Sequence, residues 1–166
     1  MEYYMEYPSE VGMLLLTCTD DALTGLWMNK TPGGHLLTGD HHPMLQKASV
    51  WLDGYFAGKK EPVPVKLSPA GTVFQQRVWQ RLLQIPYGQV ITYGDIAREM
   101  EQETGKKMSA QAVGGAVGRN PISILIPCHR VVGTGGKLTG YAGGLDKKIW
   151  LLNHEGWEGA KRYDHQ

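Results

Sequence analysis

Cys128 and His129 place a thiol and an imidazole on consecutive residues, inside the apolar run 122–132 and directly after Pro127. A thiol beside an imidazole can be drawn towards the thiolate, the form that attacks carbon. The same run also fits a core strand holding an inert cysteine, because a free Cys packs as a small hydrophobe. Glu155 is the next candidate. It falls in the last turn of a helix, where a negative charge opposes the macrodipole, so another role for it is worth seeking. His41 and His42 form a pair with no third ligand nearby, and a metal is not expected there.

These groups must be positioned by a chain of 166 residues, enough for one or two small domains with a real core. The charge is unevenly spread. Residues 1–66 carry five Lys and eight Asp or Glu, and residues 67–166 carry twelve Lys or Arg and eight Asp or Glu. A basic C-terminal half suits a polyanionic partner, and equally an ordinary solvated surface. Only Cys18 and Cys128 are present, with no CxxC and no Cys/His set at zinc spacing. Glu2, Glu6 and Glu10 interrupt any leader-like N-terminus, so a cytoplasmic protein with free thiols is expected. No apolar run approaches the length that crosses a membrane.

Residues 11–19 are strand-like, Asp20-Asp21 is a turn, and residues 23–28 return as a hairpin, with Cys18 a small core residue. Pro43 opens a helix that ends near Gly58. Its inner face is Leu45, Ala48, Leu52 and Phe56, edged by Trp51 and Tyr55. Pro62 and Pro64 mark a connector. With the change in charge they divide the chain into domains 1–66 and 67–166. Phe74, Val78 and Leu82 share the face of the next helix, which residues 85–88 stop. Thr92 with Asp95 caps a short helix bearing Ile96, Ala97 and Met100, followed by a polar loop over residues 101–107. Ser109 caps a third helix to about Gly118, with Ala110, Val113, Gly114 and Val117 inward. Such a pair of helices resembles a helix-turn-helix. Gly114, Gly115 and Gly118 each weaken that helix by about 1 kcal/mol relative to Ala. The helix must gain from being slim, through close packing on another helix or on a nucleic-acid groove. A last helix spans 147–153, with Ile149 and Leu152 facing in.

Pro127-Cys128-His129-Arg130-Val131 resembles the active-site motif of the O6-alkylguanine-DNA alkyltransferases. Agreement extends to Gln89-Val90-Ile91-Thr92-Tyr93, Ala112-Val113-Gly114-Gly115-Ala116 and Asn120-Pro121. It continues through Tyr141 with Gly143-Gly144, and Trp150-Leu151-Leu152 before His154-Glu155-Gly156, covering residues 70–157. The resemblance implies an α/β N-terminal domain of ribonuclease H-like topology without a part in the chemistry. A mostly α C-terminal domain follows, carrying the helix-turn-helix and the active-site cysteine. It implies that Cys128 takes an alkyl group from guanine O6 in an irreversible, single-use transfer. His129 would act as base through a bridging water, oriented by Glu155, while Asn120 braces the turn. Tyr93 would donate towards ring N3 and the Ala142 N–H would face O6. The carbonyls of Cys128 and Val131 would accept from the exocyclic amine, with Tyr141 and Ser123 as pocket wall. The target base must leave the duplex. The helix at 109–118 would lie along the minor groove, the DNA contacts being Thr92, Tyr93, Gln111, Ala112, Gly114, Gly115 and Arg119. The implied partner is double-stranded DNA containing O6-alkylguanine, bound by a monomer without cofactor, metal or membrane.

The sequence departs from the family pattern twice. Gln111 stands where an arginine usually enters the base stack, and Gln lacks its charge and planar guanidinium. Ser123 stands where a pocket-wall proline is common. Two other functional classes fit worse. Alkyltransferase-like binding proteins lack the acceptor cysteine that Cys128 supplies. A cysteine hydrolase draws its histidine from far along the chain and needs an oxyanion hole.

Overall fold

A computed structural model describes residues 1–163. The chain divides into two compact units, Met1–Ala70 with Pro121–Leu125, and Gly71–Asn120 with Ile126–Gln166. This differs from a single cut near residue 66, because residues 121–125 return to the first unit. There the Leu26 N–H donates to the Pro121 carbonyl at 2.9 Å, and the Ser123 N–H donates to the Leu26 carbonyl at 3.1 Å.

The first unit is built on a sheet of β1 (Tyr3–Ser9), β2 (Gly12–Cys18), β3 (Leu23–Met28) and β4 (Leu37–Thr38), in the order β3-β2-β1-β4. β1 and β3 flank β2 antiparallel, while β4 joins β1 in parallel. Leu14 to Cys18 are buried in succession, as suits a central strand covered on both faces. Helix α1 (Pro43–Phe56) packs on this sheet, with Pro43 in its first turn. His42 caps it, Nδ1 accepting from the Met44 N–H at 3.1 Å. The ring's Nε2 lies 3.1 Å from Asp20, so the histidine is a structural cap. The buried face is Leu45, Ala48, Leu52 and Tyr55; Tyr55 lies fully inside and Phe56 only partly so. β1 was not legible as a strand, because Pro8 and Glu6, with Glu2 and Glu10 at its flanks, obscure its pattern.

In the second unit, α2 (Val73–Leu82) begins with a capping box between Thr72 and Gln75. α3 (Tyr93–Thr104) starts at Thr92, whose hydroxyl accepts from the Asp95 N–H at 3.0 Å. It runs a turn further than expected and stops at Gly105, whose φ of 70° satisfies the left-handed cap. Glu101 therefore lies on the helix, its carboxylate accepting from the Met108 N–H at 2.6 Å. α4 (Ala110–Gly118) is capped by Ser109 and packs on α2 and α3. The Trp79 indole N–H reaches the Ala116 carbonyl at 2.9 Å, fixing α2 against α4. Val113, Ala116 and Val117 form the buried face, so Ala116 rather than Ala110 points inward. β5 (Ile91–Thr92) pairs in parallel with β6 (Val131–Val132), and α5 (Leu145–His154) closes the unit. Among the described residues no helix is long and apolar enough to cross a membrane.

Candidate active site

The chain reaches Cys128 through two tight turns. Ile124 has a φ of 71°, rare for a β-branched residue, and Leu125 N–H donates back to the Ser123 carbonyl at 2.8 Å. Pro127 then adopts φ −79° and ψ 67°, with the Cys128 N–H donating to the Ile126 carbonyl at 2.8 Å. This is an inverse γ-turn. Cys128–Arg130 follows as a single 3-10 turn, not as the extended strand that the apolar run suggested. Proline fixes φ and starts that turn, and extension resumes only at Val131.

Pairing of β5 with β6 sets Ile91 beside Val131, which brings the start of α3, and hence Tyr93, next to the cysteine turn. Tyr93, Gln111, Gly114, Asn120, Cys128, Tyr141 and Ala142 line one cavity of about 540 Å³. The Asn120 amide donates to the Ile126 carbonyl at 2.8 Å, bracing the turn that presents the thiol.

Behind the cysteine, and absent from the cavity lining, lies a buried ionic cluster. His129 and Glu155 side chains are fully buried, with Nε2 2.7 Å from Oε2. Arg130 forks onto the same carboxylate, Nε to Oε1 at 2.7 Å and a terminal nitrogen to Oε2 at 3.1 Å. The Gly88 N–H adds a bond to Oε1 at 3.3 Å. His129 Nδ1 is buried and finds no hydrogen-bond partner among the described residues.

Burial pushes the Cys128 thiol up, against hydrogen bonds from Asn120 and Tyr141 and the positive charge of Lys148. The resting thiol is therefore protonated, and attack requires a base. Burial also pulls the His129 imidazole down, despite Glu155. It is thus neutral and able to take a proton. Burial alone would raise the Glu155 carboxyl, but His129 and Arg130 hold it well below the usual carboxylate range. An ionised Glu155 only accepts, so Nε2 carries the imidazole proton and Nδ1 is the free base. The cluster can deprotonate a thiol whose sulfur faces a cavity. Among the described residues no three His, Cys, Asp or Glu side chains gather to hold a metal ion.

Two family models match the chain. The 6-O-methylguanine DNA methyltransferase ribonuclease-like domain covers residues 2–69, and the DNA binding domain of the same enzyme covers residues 73–157. The chain belongs to the 6-O-methylguanine DNA methyltransferase family. The methylated-DNA–protein-cysteine methyltransferase of Methanosarcina acetivorans is 42% identical over 159 residues, 93% of this chain and 98% of that one. That of Haemophilus influenzae is 41% identical over 157 residues, 92% and 86% of the two chains. Among solved structures, Mycobacterium tuberculosis OGT in complex with DNA superposes with a TM-score of 0.83 at 40% identity, covering 98% of this chain and 99% of that one.

Several residues that the family resemblance nominates fall outside the cavity lining. Thr92 serves as the α3 cap, and Arg119 is exposed at the end of α4. Ala112 and Gly115 lie on the exposed face of α4. Val131 is buried, its carbonyl accepting from Lys148 Nζ at 2.7 Å. The Cys128 carbonyl accepts from the Val131 N–H. Each of these carbonyls keeps one further lone pair. Ser123 is buried in the first unit.

Sequence reasoning missed Lys148. Its side chain is fully buried, and Nζ also donates to the Gly140 carbonyl at 3.0 Å. Its ammonium stands 5.9 Å from the centre of the Tyr93 ring. Burial lowers its pKa to about 8, partly offset by Cys128. A signal was present. Lys148, Leu151, Leu152 and Glu155 repeat at helical spacing, so the lysine shares the apolar stripe that leads to Glu155.

Proposed function

We propose that this protein repairs DNA by moving the alkyl group of an O6-alkylguanine onto Cys128. Sγ attacks the alkyl carbon, the carbon–O6 bond breaks, and its electron pair stays on the guanine. The thiol proton passes through a bridging water to His129 Nδ1, and Tyr93 supplies a proton towards the leaving base. The product thioether has no hydrolytic way back, so each molecule acts once. The observation carrying this reading is a cavity-lining thiol beside a buried imidazole whose Nε2 lies 2.7 Å from the Glu155 carboxylate and whose Nδ1 has no hydrogen-bond partner among the described residues.

The face of α4 supports close approach to DNA. A side chain added at Gly115 or Gly118 would meet nothing within 4 Å, so the fold itself does not require these glycines. With Ala110 and Ala112 they form an exposed face of small residues beside Gln111 and Arg119, consistent with a minor-groove contact. Gln111 adjoins it and fills the flipped base's place without a charge. Every group in the reaction comes from one chain, so a monomer suffices, and the free thiols suit a reducing cytoplasm. Residues 1–66 give no group to the chemistry, which resides in 67–166.

The test is to incubate the protein with an oligonucleotide carrying O6-methylguanine and map the digested product by mass spectrometry. The expected result is one added methylene on the Cys128 peptide, with one lesion repaired per protein. Repaired DNA with unmodified Cys128, or repair beyond one lesion per molecule, would sink the reading.

A further inference from the structure

Arg130 touches neither the cavity nor the thiol, yet it makes the most contacts to Glu155. Nε and a terminal nitrogen engage both carboxylate oxygens, and the remaining nitrogen is fixed on the Ile85 carbonyl at 2.7 Å. Its guanidinium lies 5.7 Å from the centre of the Tyr87 ring and is largely buried. We propose that Arg130 is the counter-ion that allows Glu155 to be ionised and His129 to be neutral at the same time. By that means it sets the lower pH limit of alkyl transfer. This rests on the reading of His129 as the base, and makes Arg130 a positioning residue acting through Glu155.

Unpaired charge is costly in a site this deeply buried, so the charges around His129 must balance. Arg130 and Glu155 together carry no net charge, so the imidazole beside them needs no proton. Without Arg130 the buried carboxylate would be unbalanced and would draw a proton into the cluster. If the proton settled on His129, both ring nitrogens would carry hydrogen. If it settled on Glu155, the acid would donate to Nε2 and the ring would shift to the tautomer protonated at Nδ1. In both cases Nδ1 loses the lone pair that the thiol needs.

Among the described residues no other group facing His129 can replace Arg130. From α5 come Glu155 and Lys148, whose ammonium is committed to the Val131 and Gly140 carbonyls. The turn itself offers Cys128, and the loop after α2 offers the Gly88 N–H and the uncharged Tyr87. On α2, Arg81 is paired with Glu99 of α3. Arg130 also repels a protonated imidazole directly, adding to the effect of burial and opposing that of Glu155.

The test is nitrogen-15 histidine NMR on the full chain, with single-turnover transfer rates from an O6-methylguanine oligonucleotide over the same pH range. In the wild type, Nδ1 is expected unprotonated at neutral pH. In Arg130→Gln its protonation midpoint should rise by about 1–3 pH units, and the acid limb of the rate profile should rise with it. Arg130→Lys should restore most of both. A wild-type Nδ1 that carries hydrogen at neutral pH overturns the proposal and needs no variant to fold. A Gln variant that titrates like the wild type also overturns it. A raised midpoint with an unmoved rate profile rejects His129 as the base, and with it the control of the pH limit. Methylated Cys128 in the wild-type product upholds the transfer reading whatever the Arg130 variants show, so the two can fail separately.

Discussion

Lys148→Met should separate stability from activity. In the folded protein the ammonium titrates at about 8, against its ordinary 10.5. That drop of about two and a half pH units, at about 1.4 kcal/mol each, means that keeping the charge buried costs about 3 kcal/mol. Its hydrogen bonds to two carbonyls oppose this cost, so the figure is an upper bound. The unfolded chain holds the lysine proton up to its ordinary pKa, whereas the folded chain releases it earlier. Between pH 8 and 10.5 the unfolded state therefore binds more protons, and this lysine makes wild-type stability rise with pH. Below 8 the penalty is fully present. Methionine fills similar volume without charge, so the variant should lose little stability at neutral pH and lack this alkaline rise. Urea unfolding across that pH range measures both. Activity should move the other way. Losing a positive charge near Cys128 raises the thiol further, and each pH unit of rise removes about tenfold in thiolate. Single-turnover transfer should slow accordingly. A variant several kcal/mol less stable than the wild type, with an unchanged transfer rate, would refute this account and leave Lys148 a structural strut.

Gly115→Ala should stabilise α4 by about 0.5–1 kcal/mol, because nothing crowds the position and helical Ala is favoured over Gly. Fluorescence titration should nevertheless show weaker binding to duplex DNA; unchanged affinity would remove α4 from the interface. Glu155→Gln strands Arg130 in a largely buried site and should cost about 3–5 kcal/mol at neutral pH by urea unfolding, with transfer abolished. Because the folded carboxyl titrates below its ordinary value, this contribution is present above about pH 4.5 and fades as the pH falls, so the wild type and the variant should converge in acid. Gln111→Arg should tighten duplex binding, because the arginine brings a charge and a planar guanidinium to the base stack, and should make that binding more salt-dependent. Equal affinity at low salt would show that the glutamine is no handicap.

The candidate site was legible in the sequence wherever residue type alone carries meaning. Cys128, His129 and Glu155 are few-purpose residues, and the structure joins the last two at 2.7 Å. The fold was legible where local chemistry agrees with tertiary context, as at Pro43, Thr92 and Ser109, each found at the start of a helix. What escaped depended on context. Lys148 was invisible because a charged side chain is ordinarily assigned to solvent, and only the two carbonyls awaiting it make burial tolerable. Residues 128–130 looked extended because β-branched neighbours surround them, while Pro127 turns the backbone instead. The last turn of α3 escaped because Glu101 to Thr104 are polar, although polar straight-chain residues are good helix formers.

Residues 121–125 complete the edge of the first sheet, yet they are made after α2, α3 and α4. During synthesis, β3 must wait with unpaired amides at Leu26 until more than half of the second unit has left the ribosome. A fragment cut at residue 70 would keep that edge bare, and its complement would carry the orphaned Ile122, Ile124 and Leu125, all buried in the intact chain. The two units are thus sewn together by sequence order. The nascent first unit is expected to commit to its native core late, and to lean on chaperones until the stretch just ahead of the cysteine emerges.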